Sequence, residues 1–287
     1  MPRVPFFLSR PGRQQTSVIF ASPHSGRDYP SSFLNAIDLD PHSIRSSEDA
    51  FVDDLFRAAP RFGAPFLAAA APRAFVDLNR APEELDPALI EGVRRAANNP
   101  RIASGLGVVP RVVANGRPIY RGKIGLSEVH GRINSYWRPY HDALQSLIDD
   151  SHRQFGEAIL IDCHSMPHEA LESVVGFNGR HPDVVIGDRF GAAASNSVVE
   201  RVEAAFAAAG LRVARNTPFA GAYITQHYGR PSRRQHAIQI EIDRRLYLDE
   251  GRIEKAQGFG EFQLLLKSVI AEIADIGRPQ AAKIAAE

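Results

Sequence analysis

The sequence predicts an α/β fold of three layers, a mostly parallel or mixed central sheet with helices on both faces. Three observations carry this. Short, almost wholly apolar runs recur at residues 17–21, 67–71, 74–78, 158–163, 184–186 and 237–242. Strands covered on both faces read this way, whereas half-exposed strands alternate. Between the runs lie longer segments whose apolar residues recur at spacings of three and four, the helical period. The third observation is size: 287 residues, 44% hydrophobic and 23% charged, can bury a core without cross-links. No internal repeat or low-complexity linker interrupts the chain, so one domain over 1–287 is expected.

The first run, 17–21, leads into Ser22-Pro23-His24-Ser25-Gly26. A helix is expected from Ser46 or Ser47, either able to cap it, with Asp49 in its first turn and Phe51 and Leu55 facing the core. The run 67–71 is flanked by prolines and reads as a buried strand. The run 74–78 reads as another, ending in Asp77-Leu78-Asn79-Arg80. The clearest helix spans about 126–155. Leu126, Val129, Ile133, Trp137, Tyr140, Leu144, Leu147 and Phe155 form its buried stripe, and Pro139 should kink or break it. Strand 158–163 ends just before His164. Helices follow over 195–209, stopped at Gly210, and over 254–276.

Composition narrows the function classes. Cys163 is the single cysteine, so no intramolecular disulfide forms and a reducing compartment fits. The start Met1-Pro2-Arg3 lacks the apolar stretch of a signal peptide. No run approaches the roughly 20 apolar residues needed to cross a bilayer. A soluble, cytoplasmic protein is therefore expected. Net charge is +1, and the basic pairs Arg233-Arg234 and Arg244-Arg245 lack interleaved aromatics, so they read as solvated arginines and not as a nucleic-acid footprint. A small molecule is the expected partner.

Ten histidines are present, and two stand out by position. His24 and His164 each follow a strand, at the sheet end where ligands of α/β folds gather. Imidazole is the commonest metal ligand, and catalytic zinc takes three protein ligands plus a water. Glu48, Asp49 and Asp53 are acids able to complete such a set; helix-dipole charge explains Glu48 and Asp53 equally well. Within His236-Ala237-Ile238-Gln239-Ile240-Glu241-Ile242, alternation puts Gln239 and Glu241 on one face, opposite the isoleucines. A carboxylate in a central strand is costly unless paired or used. It reads either as an arginine's ion-pair partner or as a general base of raised pKa. Asn79 and Arg80 can grip a carboxylate. Residues 221–231, with Tyr223, Tyr228 and Arg230, form a Gly- and Pro-punctuated segment suited to a substrate loop. Neither Ser25 nor Ser165 sits in a Gly-x-Ser-x-Gly elbow, which argues against a serine hydrolase.

Seven blocks in order, SPHSGRDYP (22–30), EDAFVDDLF (48–56), FVDLNRAPEE (75–84), YWRPYHDAL (136–144), IDCHSMP (161–167), GAYITQHYGRP (221–231) and HAIQIEIDRRLY (236–247), resemble the N-formylglutamate amidohydrolase family. The resemblance implies a zinc-carboxypeptidase-like (phosphorylase/hydrolase-like) fold, related also to aspartoacylases. It implies one Zn2+ held by His24, His164 and an acid, with Asp49 the best match and Glu48 the reserve. Zinc carboxypeptidases carry a glutamate three residues after the first histidine, where this chain has Arg27. Asn79 and Arg80 match the pair that binds a substrate carboxylate, and Glu241 the catalytic glutamate. Arg80 or Arg230 would face the oxyanion, and Tyr223 or Tyr228 would close the pocket. The implied reaction is zinc-dependent hydrolysis of N-formyl-L-glutamate to formate and L-glutamate, as in histidine degradation. Ser165-Met166-Pro167 departs from the histidine-degrading members in this stretch. The alternatives are a metallocarboxypeptidase, another N-acyl amino acid deacylase, or a non-catalytic metal- or ligand-binding module.

Overall fold

Seven strands build one mixed sheet: β1 (Phe6–Ser9), β2 (Val18–Ser22), β3 (Phe66–Ala69), β4 (Ala158–Met166), β5 (Val184–Gly187), β6 (Val213–Arg215) and β7 (Gln235–Asp243). Their order is β1-β3-β2-β4-β7-β5-β6. The central strands β3, β2, β4 and β7 are parallel, while β1 runs against β3 and β5 against β7. The computed structural model describes residues 4–94, 99–113, 116–172 and 180–279.

The helices are α1 (Ser31–Ala36), α2 (Val52–Phe56), α3 (Pro100–Ala103), α4 (Leu126–Arg132), α5 (Arg138–Phe155), α6 (Asn196–Ala208), α7 (Tyr223–Tyr228) and α8 (Phe259–Ile276). Alternate residues of each central strand feed two cores. Val18, Phe20, Ile159, Ile161, Ile238 and Ile240 pack with α2, α6 and α8 on one face. Ile19, Ala21, Leu160 and Ala237 pack with α4 and α5 on the other. Each fully buried Val, Ile, Leu or Phe side chain among these contributes on the order of 1.5–3 kcal/mol of transfer free energy, which is why the central strands carry apolar residues on both faces. The expected three-layer α/β architecture is thus the observed one. Among the described residues no helix is long and apolar enough to cross a membrane.

Several boundaries differ from expectation. Residues 74–78 are not a strand. Phe75 and Val76 donate back to the carbonyl of Pro72, and Asp77 donates to Val108, so the run is a buried loop. Its apolar character reports burial, which a loop shares with a strand. Ser46 and Ser47 cap no α-helix; they end a 3₁₀ turn over Ser43–Ser47, the chain is extended at Glu48, and α2 starts at Val52 behind Phe51 (φ 62°). Asp49 therefore precedes the helix, while Asp53 and Asp54 occupy its first turn. Strand β4 continues through His164 to Met166. Residues 254–255 pair in a ribbon of β8 (Leu248–Asp249) with β9 (Glu254–Lys255), which delays α8 to Phe259. Pro139 breaks nothing: a π-helical turn over Ile133–Trp137 precedes it, and the chain stays helical to Phe155. The wider turn accommodates the proline's missing N–H and its ring.

Candidate metal centre and active site

The parallel β4–β7 pair sets the floor of the site. In register, Asp162 faces Gln239 and His164 faces Glu241. These four polar side chains share one sheet face near the carboxyl ends of the strands, while Ile161, Cys163, Ile238 and Ile240 enter the core beneath the opposite face. His24 arrives from the turn after β2, which a Ser22 Oγ–Ser25 Oγ bond of 2.8 Å tightens. A Cβ on Gly26 would lie 2.1 Å from the carbonyl oxygen of Ala71, so this turn presses against the segment after β3 in a way only glycine permits. Asp49 is tied to the same turn, its N–H donating to the carbonyl of His24 at 3.0 Å.

The two imidazoles meet edge to face, ring centroids 4.7 Å apart. Both present Nδ1 to the same carboxylate oxygen, Asp49 Oδ2, at 2.9 Å from His164 and 3.5 Å from His24. Both anchor the opposite nitrogen on a buried carboxylate: His24 Nε2 on Asp77 at 2.7 Å and His164 Nε2 on Asp162 at 3.0 Å. The ligating atoms of His24, Asp49 and His164 all lie within 4.8 Å of one another, and the three residues are buried. His24 Nδ1 makes no close hydrogen bond, its nearest acceptor being Asp49 Oδ2 at 3.5 Å, an unusual state for a buried nitrogen. With Nε2–H donating to the carboxylates behind them, both imidazoles would turn their Nδ1 lone pairs inward, the arrangement behind metal-ligating histidines. Two imidazole nitrogens and one carboxylate oxygen therefore fit a divalent cation, zinc among them, with a position left open.

Electrostatics supports this reading. Burial alone would raise Asp49, but hydrogen bonds and charge from His164 and His24 hold it well below the usual carboxylate range. Asp77 is likewise held down, His24 and Arg73 outweighing its burial. Burial opposes a charged His164, yet Asp162 and Asp49 push it well above the ordinary value, and a cation bound there would take the place of that proton. Glu241 goes the other way. Burial, with a smaller contribution from Asp49, lifts it to about 7, against the pull of His164, Arg73 and Arg244.

A cleft of about 800 Å³ opens over these groups. It is lined by His24, Asp49, His164 and Glu241, by the guanidinium groups of Arg73, Arg80, Arg101 and Arg244, and by an apolar wall that includes Leu106, Val113 and Phe219. The expected residues are not all brought there. Arg80 lines the cleft and spends part of its guanidinium on the carbonyls of Leu106 and Asn79. Both ends of the Asn79 amide are occupied: Oδ1 accepts from Ile224 N–H at 2.7 Å, and Nδ2 lies 3.3 Å from Asp162 and 3.2 Å from His164. Asn79 thus holds Asp162 beside His164, while its second amide hydrogen remains available on the cleft that the residue lines. Tyr223, Tyr228 and Arg230 are absent from the cleft wall. Helix α7 turns its aromatic side onto α5, so Tyr228 is buried with its hydroxyl on His141, and Tyr223 packs against Trp137 and His227. The Arg230 guanidinium is held on the carbonyls of Gln226 and Gly229, beside a separate cavity. Glu48 is taken by Tyr29 and Arg45, and Asp53 by Arg27. Of the three candidate acids, Asp49 alone faces the histidines.

Four further residues escaped sequence reasoning. Asp162 carried a signal, standing two positions before His164 on one strand face. Asp77 stood two before Asn79, but in a segment read as a strand. Arg73 pairs with Asp77 at 3.0 Å. Arg244 was read as solvated; it is 7% exposed and pairs with Asp49 at 3.1 Å, whereas Arg245 beside it does face solvent.

A sequence profile of the N-formylglutamate amidohydrolase family matches residues 16–248. The chain belongs to the N-formylglutamate amidohydrolase family. N-formylglutamate deformylase of Pseudomonas aeruginosa is 31% identical over 244 residues, 83% of this chain and 84% of that one. Its counterpart from Pseudomonas putida is 29% identical over 240 residues, 81% and 82% of the two chains. The crystal structure of an N-formylglutamate amidohydrolase from Ralstonia eutropha JMP134 superposes with a TM-score of 0.88 at 36% identity, covering 95% of this chain and 98% of the other. A gene product of Agrobacterium tumefaciens shares the fold alone, with a TM-score of 0.62 at 16% identity. The family-matched span contains every residue of the His24–Asp49–His164 cluster and its bracing carboxylates, together with Glu241 and Arg244, and stops short of α8.

Proposed function

We infer that the protein is a zinc-dependent amidohydrolase that converts N-formyl-L-glutamate and water to formate and L-glutamate. The observation that carries this is the convergence of two carboxylate-braced imidazoles on Asp49 beside a buried glutamate of raised pKa. The deformylase names of its relatives give the acyl group and the amino acid.

His24 Nδ1, Asp49 Oδ2 and His164 Nδ1 would hold the metal, and zinc bound there supplies a Lewis acid that polarises the formyl carbonyl and acidifies water. Glu241 takes the proton of the attacking water. Its value near 7 matches that duty, because a base works best with a pKa close to the operating pH. As the C–N bond breaks, Glu241 returns the proton to the departing amine. Gln239 donates to Glu241 Oε1 at 2.7 Å while accepting from Ala222 N–H, which fixes the carboxylate's orientation and leaves its second oxygen for the water. Arg80, with Arg73 and Arg101 beside it in the cleft, neutralises substrate carboxylate and the developing oxyanion. Asn79 keeps His164 and Asp162 aligned.

A non-catalytic metal module would close the coordination sphere with a fourth side chain; the cluster offers three among the described residues. A histidine-degradation role in the cytoplasm is the setting this reading implies. The test is hydrolysis of N-formylglutamate, N-acetylglutamate and a glutamate-terminated dipeptide by the zinc-loaded protein. Preference for the formyl compound is expected. Preference for the dipeptide would make it a carboxypeptidase instead.

A further inference from the structure

Asp49 has two oxygens with different occupations. Oδ2 faces Nδ1 of both histidines, whereas Oδ1 is held by Arg244 Nη2 at 3.1 Å. The same guanidinium donates through Nε to Ser165 Oγ at 3.2 Å and through Nη1 to the carbonyl of Ser46 at 3.4 Å. Ser165 is the neighbour of His164 on β4, and Ser46 lies on the segment that delivers Asp49. Arg244 itself follows β7, the strand of Glu241, and is 7% exposed. One buried side chain therefore ties together the three segments that carry two of the metal-facing groups and the base.

We propose that Arg244 is a positioning residue that makes Asp49 a single-oxygen metal ligand by holding Oδ1 away from the two histidines. The inference rests on the metal site proposed above. Its physical basis is the guanidinium fork, which fixes a carboxylate in orientation as well as in charge. Without that fork the carboxylate can rotate, and the pocket loses the preorganised set of one oxygen and two nitrogens.

Charge and position act in opposite directions here, which makes the proposal testable. Removing a buried cation next to a cation site, by charge alone, tightens metal binding. Loss of ligand positioning weakens it. The measurement is the zinc dissociation constant of the metal-free full-length protein, by competition with a chelating dye, for the parent, Arg244→Gln, Asp49→Asn and the double variant. Folding is checked by circular dichroism. Arg244→Gln is expected to weaken zinc binding by roughly 10–100-fold, the range for outer partners of metal ligands. In the Asp49→Asn background the same change should no longer weaken zinc binding, because the positioning runs through Asp49 and only the charge effect, which tightens, remains. Zinc binding unchanged or tighter in Arg244→Gln, or weakened equally in both backgrounds, overturns the proposal. Should Arg244→Gln fail to fold, Arg244→Lys carries the same comparison: it keeps the charge, lacks the fork and is expected to bind zinc more weakly than the parent. A parent that binds no zinc would remove the metal site itself, an outcome distinct from a parent that binds zinc and an Arg244 variant that binds it equally well.

Discussion

Glu241 sits in surroundings that work against its charge. It is 7% exposed on a central strand, and its carboxyl is pushed up to about 7 by burial. Two consequences follow. Glu241→Gln should lower the rate of formylglutamate hydrolysis by roughly 10²–10⁴, the usual worth of a general base. A variant as active as the parent would take Glu241 out of the mechanism. The second consequence concerns stability. In the metal-free protein the folded state holds a proton on Glu241 up to about 7, whereas the unfolded chain gives it up near 4.5. The folded state binds more protons in that window, so stability declines as pH rises through it. Glu241→Gln should therefore raise the melting temperature of the metal-free protein above about pH 7 relative to its effect near pH 4. Equal shifts at both pH values would contradict the assignment. A bound cation pulls Glu241 down, so the acid limb of the activity profile should lie at or below the metal-free value. His24, His164 and Glu241 were legible in the sequence because each is a polar residue set in or beside an apolar strand. Asp162 carried the same signal, two positions before His164 on one strand face, but Asp77 and Arg244 did not, because their partners His24 and Asp49 lie 53 and 195 positions away.

At the scale of elements, position in the site follows from strand pairing and from one tight turn. The apolar runs revealed the central strands because each must be buried on both faces. They misled at 74–78, where a loop is buried as thoroughly as a strand, and at the start of α2, where the chain makes a 3₁₀ turn before it becomes helical. Neither error displaced the site, since Asp49 faces the histidines from an extended segment as well as it would from a helix. The Gly26 turn offers a direct check. An added Cβ meets backbone, which cannot move aside as a flexible side chain can. Gly26→Ala should weaken zinc binding and cut activity by displacing His24, as measured by zinc titration of the purified variant. Parent-like affinity would show that the turn has slack. In the supporting layer, Leu144 on α5 is fully buried. Leu144→Ala should cost about 2–5 kcal/mol in urea unfolding while leaving the KM for formylglutamate unchanged, because it opens a cavity in the core at a residue that does not line the cleft. A raised KM would connect that helix to the site.

For the whole molecule, the mixed sheet brings His24 from the turn after β2, His164 from β4, Asp49 from the segment before α2 and Glu241 from β7 into one cleft. A metal that binds only the folded arrangement must stabilise it. At a free zinc concentration 1,000-fold above the dissociation constant, the gain is about 4.1 kcal/mol, visible as a zinc-dependent rise in melting temperature that chelator reverses. Fold class and reaction were legible from the sequence at this scale, because strand pattern and block order extend along most of the chain. The cleft wall was not, since it is built from loops whose partners lie far away in sequence. Zinc-edge X-ray absorption on the purified protein, with metal content measured in parallel, tests the central claim most directly. The proposed function predicts one zinc per chain with nitrogen and oxygen neighbours at about 2.0–2.2 Å, including imidazole, and its loss in His24→Ala and His164→Ala. Sulfur at about 2.3 Å, or full zinc content in both variants, would show that the metal sits elsewhere and that these histidines do not hold it.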